Sequence, residues 1–268
     1  LARNMGLDRP LHIQYFAWLG NLFTGDLGNS LSYGGRPVTD MVLERLPATL
    51  KLGIAAALLS LVIGVPLGII AARYQNGILD QVASVVASIG LAIPNFWLGI
   101  LMIVLFSVNL DWFPSSGTRT IGTRGGGIVD QLHHLLLPTI VLATSTIAEL
   151  TRYTRSAWLE VARQDFVRTA RSKGLNESRI ERRHILKNTL IPVLTVFGVA
   201  LPRLIGGSVV VETLFSWPGL GQLAVDAALR RDTPLVLGVT VFVSVGVIIS
   251  NLLVDLVYPL LDPRISYS

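Results

Sequence analysis

Cysteine is absent from all 268 residues, which excludes disulfide staples, thiolate metal sites and cysteine nucleophiles. Charge is scarce too: Asp, Glu, Lys and Arg make up 15% of the chain, against about 25% in average globular proteins. No GxxxxGK[ST] phosphate loop occurs, and the glycines at Gly125–Gly127 lack the lysine and the preceding strand that such a loop needs. His133 and His134 are expected to lack a cysteine or carboxylate at ligand spacing and to be interfacial, structural histidines. The chain begins at Leu1, and its first 45 residues hold neither a signal peptide nor a span.

What is present is apolar. Hydrophobic residues form 51% of the chain, more than a soluble core of this size requires, and an integral membrane protein is the leading class. A helix needs about 20 apolar residues to cross the hydrocarbon core. Leu52–Ala72 and Val82–Leu110 carry no charge, and the second contains Pro94-Asn95. Gln131–Ala148 extends toward Tyr153, Asn188–Val211 is interrupted by Arg203, and Leu235–Val254 continues past Asp255 to Leu261. The expected fold is therefore all-α with five transmembrane helices, preceded by an external segment over 1–45. Glycine and proline inside the runs (Gly64, Pro66, Pro94, Gly206, Gly207) suit spans whose neighbours re-satisfy the backbone. The Gly64–Gly68 GxxxG pattern is weak by itself.

The formal charge of +5 is unevenly placed. Between Arg152 and Lys187, ten Lys/Arg face four acids (Glu160, Asp165, Glu177 and Glu181), a surplus larger than that of the whole chain. A single basic loop argues against a nucleic-acid partner and, by the positive-inside rule, puts loop 152–187 and the C-terminus in the cytoplasm. Residues 1–45 are then external, and an external start without a signal peptide predicts a sixth span before Leu1.

The basic loop is organised. Ser156–Lys173 spaces Trp158, Val161, Ala162, Phe166, Val167 and Ala170 as one apolar helical face, with Arg163, Arg168, Arg171 and Lys173 mostly elsewhere. Gly174 is the expected stop, since glycine takes the left-handed conformation freely. Asn176 or Ser178 can cap a second helix that feeds the next span. An interfacial helix resting on anionic lipid would explain the charge alone. Two helices around a glycine, projecting from a bundle, favour docking to a cytoplasmic partner.

The stretch DFVRTARSKGL, Asp165–Leu175, resembles the EAA loop of ABC-importer permeases, the loop that inserts a coupling helix into the ATPase subunit. The Glu-Ala-Ala positions fall on Arg168-Thr169-Ala170, the glycine on Gly174 and the closing proline on Pro192. Arg168 in place of the signature glutamate, and the longer spacing to the proline, are both typical of the peptide/nickel branch. Gly6–Leu31, Arg36–Val38 with Leu46–Leu50, Val209–Leu223 and Asn251–Ile265 are similar to the B-type dipeptide/oligopeptide permeases of that branch, in the same order.

The resemblance implies a six-span permease fold whose domain covers 46–268 here, with the coupling loop at 156–190. It implies a multi-pass protein of the bacterial or archaeal plasma membrane. The implied partners are a second permease subunit, two cytoplasmic ATPase subunits and an external substrate-binding protein, besides the lipid bilayer. ATP and magnesium would sit on the ATPase subunits, and this chain would bind no cofactor and catalyse no reaction. Docking is expected on Arg163, Asp165, Arg168, Thr169, Ala170, Arg171, Lys173, Gly174 and Leu175. The implied substrates are di- and oligopeptides, with nickel, glutathione, a sugar oligomer or another small solute as alternatives.

Charges within spans point to function by default. Arg203 stands ~22 Å along its helix from Asn188 and either lines the pathway, where it could meet a peptide carboxylate, or pairs with Glu212 or lipid phosphate at the outer face. Glu149 is a second pathway candidate, although Arg152 three residues on offers a local ion pair. Asp255 reads as structural. FSWPGLG (Phe215–Gly221) reads as a re-entrant gate or, more simply, a tight external turn with an interfacial Trp217. A membrane enzyme would need a catalytic constellation that the Asp- and His-bearing regions lack, and a channel would need no docking loop.

Overall fold

The computed structural model describes residues 10–120, 127–205 and 209–261, and every named element within them is helical. Helix α1 (Leu11–Phe23) precedes a turn-rich segment, after which α2 (Val38–Arg73) runs unbroken through Pro47 and Pro66. Thus α2 begins inside the segment read as external, fourteen residues before the apolar run itself. Next come α3 (Ile78–Ala92) and α4 (Asn95–Met102, continued by a π-helical turn to Asn109). Helix α5 (Ile128–Ala162) is followed by the short α6 (Asp165–Ser172) and α7 (Glu177–Ile180). A π-helical turn over Glu181–Ile185 joins α7 to α8 (Leu186–Ile205). Helices α9 (Val209–Leu214), α10 (Leu220–Leu229) and α11 (Thr233–Leu261) complete the described chain. Gly206 and Gly207, and the end of the Asn251–Ile265 match, lie outside the described residues, as does the side chain of Asp255.

Among the described residues, four helices are long and apolar enough to cross a membrane: Val38–Arg73, Ile128–Ala162, Glu177–Leu204 and Thr233–Val254. The pair Ile78–Ala92 and Asn95–Asn109 makes a fifth span when counted as one, but it bends by 104°. The charge-free run Val82–Leu110 is therefore not the single straight helix its length suggested. Pro94 is the cause: it disfavours helical backbone at the residue before it, and Ile93 is extended at φ −77°, ψ 123°. Large apolar side chains such as Leu58, Val62, Val86, Ile248 and Leu252 face outward, where hydrocarbon is the fitting solvent.

Helix α5 is the hub, packing on α2, α3, α4, α8 and α9. The weak GxxxG pattern turns out to be its seam with α2. A Cβ on Gly64 would lie 2.9 Å from the Leu150 Cβ, and one on Gly68 would lie 2.5 Å from the Thr154 Cβ. Only bare backbone permits this approach, and the Thr151 hydroxyl donates to the Gly64 carbonyl at 3.3 Å across the seam.

Among the described residues, three apolar clusters divide the bundle. One joins Leu52, Leu137, Val141, Phe215 and Trp217. A second, around Leu27, Val38, Leu223 and Leu235, ties the chain's first described segment to α10 and α11. The third gathers Ala72, Trp158, Val167, Ala170, Ile180 and Ile185 beneath the basic loop. Beside the second cluster, the Asp232 carboxylate accepts from the Ser30 hydroxyl at 2.5 Å and the Ser32 N–H at 3.0 Å. Burial alone would raise its pKa. The hydrogen bonds from Ser30 and from the N–H groups of Ser32, Leu31 and Leu235 outweigh that and hold it below the usual carboxylate value.

Candidate functional site

The basic segment folds as two short helices folded back on the end of α5. Helix α5 reaches Ala162, and the extended backbone of Gln164 (φ −69°, ψ 151°) then turns the chain. The amphipathic helix expected over Ser156–Lys173 is therefore two pieces, because Ser156–Ala162 continues the span and α6 starts only at Asp165. The apolar spacing reads alike in both pieces, since their buried residues belong to one cluster. Val167 and Ala170 of α6 pack with Trp158 of α5 and with Ile180 and Ile185.

The stop at Gly174 is a two-bond helix cap. Gly174 has φ +72°, its N–H donates to the Arg171 carbonyl at 2.9 Å, and the Leu175 N–H reaches the Ala170 carbonyl at 3.4 Å. Leu175 and Ala170 then join the same apolar cluster. Of the two capping candidates, Asn176 begins α7: its side-chain oxygen accepts from the Ser178 N–H at 2.9 Å. Arg171 meets Glu177 across the turn at 2.5 Å, and that hydrogen bond raises the pKa of the guanidinium further.

The nine expected docking residues separate by role. Arg163, Asp165, Arg168, Thr169, Arg171, Lys173 and Gly174 are exposed, whereas Ala170 is buried and Leu175 half-buried. Ala170 and Leu175 thus seat the knob, and the charged residues present it. A recess of about 510 Å³, lined by Arg155, Glu160, Arg163 and Asp165 among others, opens between α5 and α6. Two long-range ion pairs, not anticipated from the sequence, fix the knob's base. Arg155 grips Asp80 with two hydrogen bonds, 2.5 and 2.8 Å, and Asp80 also accepts from the Asn76 N–H at 2.8 Å. Arg73 pairs with Glu181 while lying 5.9 Å from the Trp158 ring centroid. Asp80 stands just before the second uncharged run, and that isolated carboxylate was the available signal.

The intramembrane charges pair differently from both local expectations. Arg203 Nη2 donates to Glu149 Oε2 at 2.8 Å, joining α8 to α5. Glu149 therefore does not pair with Arg152, and Arg203 does not pair with Glu212, because α8 packs along α5 and brings the two together. Glu212 is fully buried and has fixed donors: the Thr49 hydroxyl at 2.8 Å and the N–H groups of Gly221 and Gln222 at 2.6 and 3.1 Å. Trp217 is likewise buried rather than interfacial, its indole N–H donating to the Ala48 carbonyl at 2.8 Å. FSWPGLG is a core-packed turn between α9 and α10. His133 bonds the Trp112 carbonyl at 2.7 Å and His134 bonds the Asp130 carbonyl at 2.9 Å. The Asp130 side chain lies one turn before His134 and 3.5 Å away, so a carboxylate does stand near this histidine, contrary to the expectation from the sequence.

Comparison with known proteins bears on the family and the fold. Residues 64–267 match the family described as "Binding-protein-dependent transport system inner membrane component". The chain is 48% identical to the oligopeptide transport system permease protein AppB of Bacillus subtilis, over 98% of its own length and 83% of the relative's. It is 42% identical to the di/tripeptide transport system permease protein DppB of Pseudomonas aeruginosa, with 98% and 83% covered. Among solved structures, the MetNI methionine ABC transporter in an inward-facing conformation matches at TM-score 0.65 and 19% identity, over 82% of this chain and 96% of that one. An amino acid ABC transporter matches at TM-score 0.64 and 16% identity, over 85% and 95%. Those two likenesses speak for the fold, and the family match and the close relatives speak for descent. The chain belongs to the family of inner-membrane components of binding-protein-dependent transport systems.

Proposed function

We propose that this chain is a permease subunit of an ATP-driven importer that moves di- and oligopeptides into the cell. A second permease subunit completes the pathway, and an external binding protein delivers the peptide. Two ATPase subunits dock from the cytoplasm and hydrolyse ATP with magnesium, while this chain moves substrate without chemistry of its own. Loop 152–187 and the C-terminus face the cytoplasm, and residues 1–45 face outward. Peptide as substrate rests on the relatives named for oligopeptide and di/tripeptide transport.

The carrying observation is the α6–Gly174–α7 knob. Its buried side anchors it to the span helices through Val167, Ala170 and Ile180, and its cationic side is exposed. ATP-driven closure of the ATPase pair would move the knob, and the ion pairs at its base would pass that movement to α2 and α3.

The test is co-purification of the chain with the products of its neighbouring genes, followed by an ATPase assay with peptide-loaded binding protein. A stable assembly whose hydrolysis rises with peptide supports the reading. Stimulation by nickel, glutathione or another solute instead would reassign the substrate, and failure of any ATPase subunit to bind would remove the docking role.

A further inference from the structure

The Glu149–Arg203 pair is out of place for a structural tie. Arg203's side chain is 65% exposed and Glu149's 29%, although both lie in helices that cross the membrane. A charged pair bathed in hydrocarbon would be costly, so this face of the bundle borders water or another protein. The surrounding residues favour water. Ser145, Glu149, Arg152 and Ser156 follow one another at spacings of four, three and four, one face of α5, and none of them is buried. The α5 positions turned the other way, including Ala143, Thr151, Thr154 and Trp158, are buried. On α8 four of the five exposed positions, Asn188, Pro192, Val199 and Arg203, again share one side, and Lys187 at the first turn lies off it. A strip of polar groups therefore leads from the pair down α5 toward the cytoplasmic knob.

The pair is also incompletely made. Among the described residues, Arg203 bonds Glu149 through Nη2 in a single contact. A guanidinium offers five N–H donors and binds a carboxylate best through two parallel hydrogen bonds. Most of its capacity is open to the exposed side. The contrast with the Arg155–Asp80 grip, in which the carboxylate is buried and two nitrogens meet two oxygens, is direct.

Building on the importer reading above, we infer that Glu149 and Arg203 form a transient station for the termini of a passing peptide. The peptide's carboxylate takes the open donors of Arg203, and its ammonium takes the Glu149 carboxylate. Each end replaces the residue that had been the other's partner, so charge stays compensated while the peptide is inside. When the peptide leaves, the two side chains close on each other again, and neither charge is stranded. This favours zwitterionic peptides over capped ones at a point beyond delivery.

The test crosses protein variants with peptide variants. The complete transporter, with its second permease, ATPases and binding protein, is reconstituted in liposomes. Uptake of free, C-amidated and N-acetylated tri-alanine is measured for the unaltered chain, Arg203→Gln and Glu149→Gln. The binding protein's own preferences cancel, because each peptide is compared across variants. Arg203→Gln should lower uptake of the two peptides with a free carboxylate about tenfold and of the amidated peptide less than about twofold. Glu149→Gln should do the mirror image, sparing the acetylated peptide. Arg203→Lys, which keeps the charge and loses the fork, should fall between and serves if the glutamine variant fails to assemble. Equal loss for all three peptides would overturn the inference, leaving the pair a tie between α5 and α8, and so would no loss at all. If the unaltered assembly moves no peptide while its ATPase responds to another solute, the peptide reading itself fails, and this inference with it.

Discussion

Glu149 and Glu212 are both carboxylates set among apolar helices, yet the fold treats them in opposite ways. Glu212 is wholly enclosed and is held by three fixed donors, one hydroxyl and two backbone N–H groups, none of which can withdraw without distorting α2 or α10. Glu149 is half-exposed and is met by one flexible side chain from a neighbouring helix. The difference extends to their surroundings. Around Glu212, a Cβ on Gly219 would come within 2.4 Å of the carboxylate carbon, so the backbone is moulded to the acid. Around Glu149, polar side chains line an open face. Fixed dipoles make a permanent lock, whereas a mobile opposite charge makes a contact that can be exchanged.

The largest effect should come from opening the lock. Glu212→Ala leaves the Gly221 and Gln222 N–H groups and the Thr49 hydroxyl without their acceptor, and should cost about 2–4 kcal/mol of stability. A melting curve of the purified chain in detergent would read it. A melting temperature unchanged by the substitution would show that the enclosure is not what holds α9 and α10 on α2.

The knob should be next. At φ +72°, a valine at Gly174 strains the backbone by about 1–2 kcal/mol, and no neighbouring atom crowds the new side chain, so the damage stays local. Gly174→Val should leave the spans folded and uncouple peptide uptake from ATP hydrolysis. Normal uptake in that variant would show that the turn's shape is not read by the ATPase. The exposed pair Arg171–Glu177 should matter least: Arg171→Gln is expected to change stability by about 0.5 kcal/mol or less, with the difference fading in 0.5 M salt. A loss above about 2 kcal/mol would place that pair with Glu212 rather than with ordinary surface contacts.

Several of these features were legible before any fold was known. The uncharged runs located the helices that cross, and the basic segment with Gly174 marked the knob and the residue at which it turns. The break at Arg163–Gln164 was not legible, since Trp158 and Val167 keep helical spacing across it and serve one cluster from two helices. The bend after Ala92 was half-visible in Pro94, but a proline can also be absorbed, as Pro47 and Pro66 are within α2. Trp217 looked interfacial because tryptophan often is, and it proved buried because the carbonyl of Ala48 accepts its N–H.

By itself, the sequence determined which stretches are apolar enough to cross the membrane and where the basic loop turns. Each follows from local requirements: hydrocarbon admits only segments that satisfy their own backbone, and positive φ is easiest for glycine. The tertiary structure alone decided the partners of the charges: Glu149 with Arg203, Asp80 with Arg155, and Glu212 with Thr49 and the start of α10. A charge on a helix has several partners within reach. Which one it takes depends on how neighbouring helices are rotated and how closely they approach, and here glycines at the α2–α5 seam and the packing of α8 along α5 set both.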